Sequence, residues 1–382
     1  MRALRTWALL PGLVGLLAGA AGAQESQAER AALAAWRELL DVPLREVERR
    51  DLAWVKPAGS GSPKRGSFLA AKVPLAPGEL RYLGFDAPRK LPPFDGTFGL
   101  PSDLSQRRFH VWRYREHYVL AASDGRREQL TVAAIARALE LLRARWPRRY
   151  QAVFRGPRTA QEQLARLRAR DPKKSVSFLN LTRCFAFVLD GGFSAIARSG
   201  YELGKKQRVQ VGDQSVDLFQ NVARVTLNFA AIQGISSHRL YQREEPLVDF
   251  LRYLRDGLVE TLAHEALHCL LRRDKNVEPL FWLLIERLRS LGGEKLGKQV
   301  EEAFVVEGAT RWLSGGGLSE QVSGYYRGLF SNMHRRRLGL LGGSPPTDLG
   351  LAVQAILKRY AERRGATGDD YETLFRFPIP EE

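Results

Sequence analysis

His264-Glu265-Ala266-Leu267-His268 sets two imidazoles four residues apart, with an acid directly after the first. On an α-helix, residues i and i+4 stand nearly one above the other, so both rings converge on one point. They can fill two corners of a tetrahedral zinc site. Glu265 follows the first ring, so its carboxylate can reach a metal-activated water without binding the metal. That is the placement of a general base in metal-assisted hydrolysis. Histidine is scarce here, six in 382 residues, so the pattern does not follow from abundance.

A catalytic zinc usually takes three protein ligands and keeps one position for water. The best source of a third is the stretch 295–313, which contains V-E-E-A-F-V-V-E-G-A-T-R-W-L. Glu301, Glu302 and Glu307 are all possible. Glu302 and Glu307 are about 140° apart around a helix and cannot both face one ion. Glu307 lies in the more apolar part, near Phe304, Val305, Val306 and Trp312. An acid there needs a buried partner, and zinc would be one.

The elements that must carry these residues are legible from periodicity. Residues 246–272 have no internal Pro, and Leu251, Leu254, Leu258, Leu262 and Ala266 recur at three- and four-residue steps, which predicts a helix with a buried stripe. Arg272 and Arg273 fall where a last turn favours cations. Upstream, 108–123 alternates and is rich in aromatic and β-branched residues, which predicts one or two strands; His110 and His117 in that run read as structural. Residues 130–146 and 160–170 read as helices, and 175–181, 183–189 and 222–231 as strands. Downstream, helices are expected over 279–291, ended by Gly292-Gly293, over 295–313, ended by Gly315-Gly316-Gly317, and over 349–363. Before all this, 24–50 reads as a helix, 57–66 as a loop, 67–75 as a strand and 77–101 as irregular. Mixed strands and helices followed by a mostly helical half predict an α+β fold.

The pairing of H-E-A-L-H with V-E-G-A-T-R-W-L resembles the gluzincin zinc peptidases, in particular the small bacterial peptidase MA-like domains, over roughly residues 106–330. The resemblance implies a zincin-like fold, with a mixed sheet packed on the H-E-x-x-H helix. It implies one zinc per chain on His264, His268 and Glu307, with Glu265 as base and a protein or peptide as substrate. Glu302 is the reserve ligand, since Thr310 stands where the family usually has Ala and the spacing from His268 to Glu307 is long. Related enzymes stabilise the oxyanion with a Tyr or His from the C-terminal half, and Tyr325, Tyr326 and His334 are the candidates. Asn228-Phe229-Ala230 resembles the substrate-binding strand of thermolysin-like enzymes, so substrate backbone is expected to pair with an edge strand near 225–231.

Met1-Arg2-Ala3-Leu4-Arg5, an apolar run and Ala21-Gly22-Ala23 read as a secretory signal peptide over 1–23. The expected organisation is therefore 1–23 signal, 24–105 an N-terminal region without visible chemistry and 106–382 the hydrolase domain, exported to periplasm or medium. No later stretch is long and apolar enough to span a bilayer. The formal charge is +17, with eleven Lys or Arg against two acids over 143–174. Such a field could attract an anionic envelope polymer, which supports an alternative reading as an envelope-binding protein with an inactive metal site. Nucleic acid is not expected as a partner, because no motif for it is present. In an oxidising compartment Cys184 and Cys269 could form one disulfide.

Overall fold

The computed structural model describes residues 79–86, 107–123, 125–170, 172–173, 175–190, 195, 197–202, 206–233, 253–273, 279–313, 336, 338, 347–366 and 371–377. The signal segment, the expected helix over 24–50 and the expected strand over 67–75 lie outside the described residues.

Seven strands form one mixed sheet: β1 (Leu80–Asp86), β2 (Phe109–Tyr114), β3 (His117–Ala121), β4 (Phe178–Asp190), β5 (Ala197–Glu202), β6 (Lys206–Val211) and β7 (Gln214–Asn228). Their order is β1-β2-β3-β4-β7-β5, and β6 pairs with the first half of β7. β3 and β4 run parallel, as do β4 and β7, and the other pairs are antiparallel. The run 108–123 makes two strands, β2 and β3, joined by a tight turn in which Arg115 takes a φ of 51°.

Eight helices complete the described chain: α1 (Arg126–Arg145), α2 (Pro147–Tyr150), α3 (Ala160–Arg170), α4 (Phe229–Gln233), α5 (Leu258–Arg273), α6 (Pro279–Leu313), α7 (Asp348–Arg363) and α8 (Tyr371–Leu374). π-helical turns at Gln151–Arg155 and Tyr253–Gly257 extend α2 and precede α5. In the second, Tyr253 donates from its hydroxyl to Thr261 Oγ1 at 2.9 Å, and Thr261 donates to the Gly257 carbonyl at 3.0 Å, which ties the turn to the first turn of α5. The helix of α6 is interrupted at Gly292 and Gly293, the latter at φ 76°, where the sequence predicts a break.

β4 shows how the sheet is covered. Phe185, Phe187 and Leu189 enter the main core with α1, α5 and α6, while Cys184, Ala186 and Val188 join Phe109, Val111, Tyr118, Leu120 and Val222 in a second cluster. A strand buried on both faces reads as a continuous apolar run, here F-A-F-V-L. The register shifts between Thr182 and Cys184, so Arg183 is a bulge. That extra residue exchanges the parity of the strand. Leu179 and Leu181 therefore share the face of Cys184, and α3 covers them with Leu164 and Leu167.

Three expectations need correction. The region read as irregular over 77–101 contains β1, which pairs with β2, so the boundary at 105/106 does not separate it from the sheet. The two strands expected over 175–189 are one strand with a bulge. The segment near 225–231 is not an edge: Val225 pairs with Phe187 on one side and Ser199 on the other, and the chain turns helical at Phe229. Among the described residues β5 is the terminal strand on that side.

Candidate metal centre

α5 lies on the sheet against β5 and β7, with α1 and α6 beside it. Leu258, Leu262, Ala263, Ala266 and Leu267 are wholly buried and fix its rotation. Its C-terminal end is fastened too. Trp282 donates Nε1–H to the Leu271 carbonyl at 3.0 Å, and Arg273 donates to the carbonyls of Ala152 and Val153. A helix held this firmly presents the same face to α6 at every turn, and His264 and His268 lie on that face.

The two Nε2 atoms are 3.2 Å apart. From α6, Glu302 places Oε2 at 3.3 Å from His264 Nε2 and Oε1 at 3.3 Å from His268 Nε2. Among the described residues, these three side chains form the group whose donor atoms converge closely enough to hold an ion. The spacing can be tested against a tetrahedral zinc, whose Zn–N and Zn–O bonds of about 2.0–2.1 Å give ligand-to-ligand edges of about 3.3 Å. The separation of the two nitrogens is close to that edge, and each nitrogen has a different Glu302 oxygen at a similar distance; two imidazoles with one carboxylate are a donor set that zinc accepts. The His268 side chain is 4% exposed, His264 14% and Glu302 43%, so the centre opens to solvent on the Glu302 side.

Electrostatics agree with the geometry. Burial disfavours a charged His268, yet the Glu302 and Glu301 carboxylates beside it hold its protonation up to about 10. Burial opposes the Glu302 charge as well, but the two imidazoles hold this carboxyl well below the usual range. Glu301 is lowered in the same sense by His268 and Arg272, against its own burial. Surroundings that favour an added proton so strongly also favour another small cation.

Glu302, the reserve ligand, belongs to this converging group, and Glu307 does not. Glu307 is buried, 2% exposed, on a stretch of α6 whose Phe304, Val305 and Ala309 face the core. The Gly that follows it has a packing role: a Cβ on Gly308 would lie 2.6 Å from Phe377 Cγ. Glu265, next to His264 in the chain, is buried and outside the converging group. Tyr325, Tyr326 and His334 lie outside the described residues.

The disulfide that Cys184 and Cys269 could form is absent; both cysteines are free and buried. Cys184 belongs to the cluster on one face of the sheet, while Cys269 sits on α5 over the other, its Sγ directed at the carbonyls of Gly200 and Arg224. The sheet stands between the two thiols. His117 is structural, as expected: it is fully buried, pairs through Nε2 with the Tyr150 hydroxyl at 3.0 Å and accepts from the Phe185 amide.

From the sequence alone, Glu301 stands as a possible ligand and Arg272 as a helix-end cation. Their actual contacts are with each other and with the back of His268. The spacing of Arg272 from His268 was the available signal, since i and i+4 share a helix face.

Comparisons with family models, with curated proteins and with solved structures return no match.

Proposed function

We propose that this chain is an exported zinc-dependent peptidase with a zincin-like arrangement of sheet and metal helix. The observation that carries this reading is the convergence of His264 Nε2, His268 Nε2 and the Glu302 carboxylate at edges of 3.2–3.3 Å, next to the buried Glu265. His264, His268 and Glu302 would hold the ion. Zinc bound there supplies a Lewis acid that acidifies water and polarises a carbonyl. Glu265 takes the proton from the attacking water and delivers it to the leaving nitrogen. Its place directly after His264 would set it beside a bound ion without making it a ligand. β5, terminal in the sheet among the described residues, packs against α5 and is the strand on which an extended peptide would pair. Tyr325, Tyr326 and His334 stay the candidates for oxyanion stabilisation that the resemblance implies.

The test is zinc content by mass spectrometry together with cleavage of a mixed peptide library. The wild type should carry about one zinc per chain, and His264→Ala should lose it. Glu265→Gln should keep the metal and lose about 10²–10⁴ of the hydrolytic rate, the usual contribution of general acid–base catalysis. A folded wild type without zinc, or Glu265→Gln at full activity, would refute the reading.

The alternative, an envelope-binding protein working through the basic run 143–174, draws less support. Much of that run serves the fold: Arg143 pairs with Glu140, Arg149 donates to the carbonyls of Arg311 and Trp312, Arg155 pairs with Glu116 and Arg168 donates to Gln214. No helix among the described residues is long and apolar enough to cross a membrane.

A further inference from the structure

Two neighbouring glutamates on α6 have different surroundings. Successive residues point about 100° apart around a helix. Glu302 faces the Nε2 atoms, whereas Glu301 reaches the far side of the same ring, its Oε1 at 2.9 Å from His268 Nδ1. Both side chains of that contact are buried, at 4% and 6% exposure. An ionised carboxylate only accepts hydrogen bonds, so Nδ1 must be the donor. In the neutral ring, the form that binds a metal, the lone pair is then on Nε2.

Glu301 is itself held. Arg272, one helical turn beyond His268 on α5, donates Nη2–H to Glu301 Oε1 at 2.8 Å and Nε–H to the same oxygen at 3.2 Å. Its Nη1 reaches the Ser199 carbonyl on β5 at 3.3 Å. The chain Ser199–Arg272–Glu301–His268 thus joins the terminal strand, the metal helix and the helix of the third ligand. The arginine also compensates the charge of Glu301, so Glu302 is left as the anionic member of the donor set. His264 differs: its Nδ1 has no hydrogen-bond partner among the described residues. One imidazole is oriented by the protein, and the other is not tied in this way.

We propose that Glu301 is the positioning residue of this centre, fixing the tautomer and plane of His268, and that Arg272 holds Glu301 in place to do so. The proposal rests on the metal-centre reading above. A carboxylate behind a ligating histidine typically changes metal affinity by about 10–100-fold when removed.

The experiment measures zinc affinity of the full chain by competition with a chromophoric chelator, alongside the melting temperature of the metal-free protein. Glu301→Ala should weaken zinc binding about 10–100-fold. Glu301→Gln should recover part of that loss, because its amide oxygen still accepts from Nδ1. The d–d absorption of the cobalt-substituted protein should shift in Glu301→Ala and return towards wild type in Glu301→Gln. A folded Glu301→Ala with wild-type zinc affinity and an unshifted cobalt spectrum overturns the proposal, even if its melting temperature falls, because that result describes a helix-to-helix ion pair only. If Glu301→Ala does not fold, Arg272→Met decides: it keeps Glu301 but releases it, and should weaken zinc binding several-fold, while unchanged affinity overturns the proposal. Absence of zinc binding in the wild type would instead defeat the metal-centre reading, and this inference with it.

Discussion

Exchanging the charge of Glu302 and, separately, of Glu307 separates the geometry from the sequence resemblance. Glu302 has both oxygens at 3.3 Å from imidazole nitrogens, whereas Glu307 is outside the converging group. A carboxylate ligand lies about 2 Å from a bound dication. Coulomb's law with the screening of bulk water then gives about 4 kcal/mol for the pair. Bulk screening suits a side chain that is 43% exposed. About 4 kcal/mol corresponds to about a thousandfold in Kd. The amide oxygen of a glutamine, or a water, replaces part of this, leaving about a hundredfold or more for Glu302→Gln. Glu307→Gln should stay within about threefold of wild type, although its burial makes a loss of stability expected, on the order of 1–3 kcal/mol. The assay is chelator competition on the full chain at fixed pH, with circular dichroism to confirm folding. Retention of zinc in Glu302→Gln with loss in a folded Glu307→Gln would refute the geometric assignment and restore the ligand set implied by the resemblance.

Gly308→Ala should destabilise the fold by about 1–3 kcal/mol, the usual range for overpacking, because its Cβ would lie 2.6 Å from Phe377 Cγ; denaturant titration checks this, and adding Phe377→Ala should remove the penalty specific to Gly308→Ala. Cys184 and Cys269 should react with a thiol reagent only after unfolding and without prior reduction, since both are free and buried; a mass two units lower in the untreated protein would contradict it. Burial holds His117 down to about 4, against its ordinary value of 6.5. Below pH 6.5 the unfolded chain therefore takes up a proton at this position that the folded chain refuses. Stability is full above pH 6.5 and falls as pH drops towards 4, by about 3 kcal/mol from this residue. Melting temperatures of wild type and His117→Phe across that window should differ in slope, with the wild type steeper.

The H-E-x-x-H spacing, the helix over 258–272, strand structure within 108–123 and the break at Gly292-Gly293 were legible in the sequence, because each follows from local rules of period and backbone freedom. The start expected at 246 was not met, since 253–257 is a π-helical turn and 246–252 lie outside the described residues. β5 and β6 were not legible. They are short and mostly polar, A-R-S-G-Y-E and K-Q-R-V-Q-V, and β6 alternates exposed and half-buried residues before the buried Val211. Strands of that kind are stabilised by the hydrogen-bonding edge that β7 offers them and not by an apolar pattern of their own. The parity change at Arg183 and the sheet lying between Cys184 and Cys269 were equally invisible, since both depend on which face of a sheet a residue takes. The same holds at the metal centre. The sequence by itself determined that a carboxylate near 301–307 could meet the two histidines. Only the tertiary structure decided that Glu302 meets them, that Glu301 stands behind His268 and that Glu307 is buried outside their group. Five residues along one helix change the facing direction by about 140°, and the rotation of α6 against α5 is set by the packing of Val300, Ala303, Phe304 and Trp312 across the whole core, not by any spacing within the helix itself.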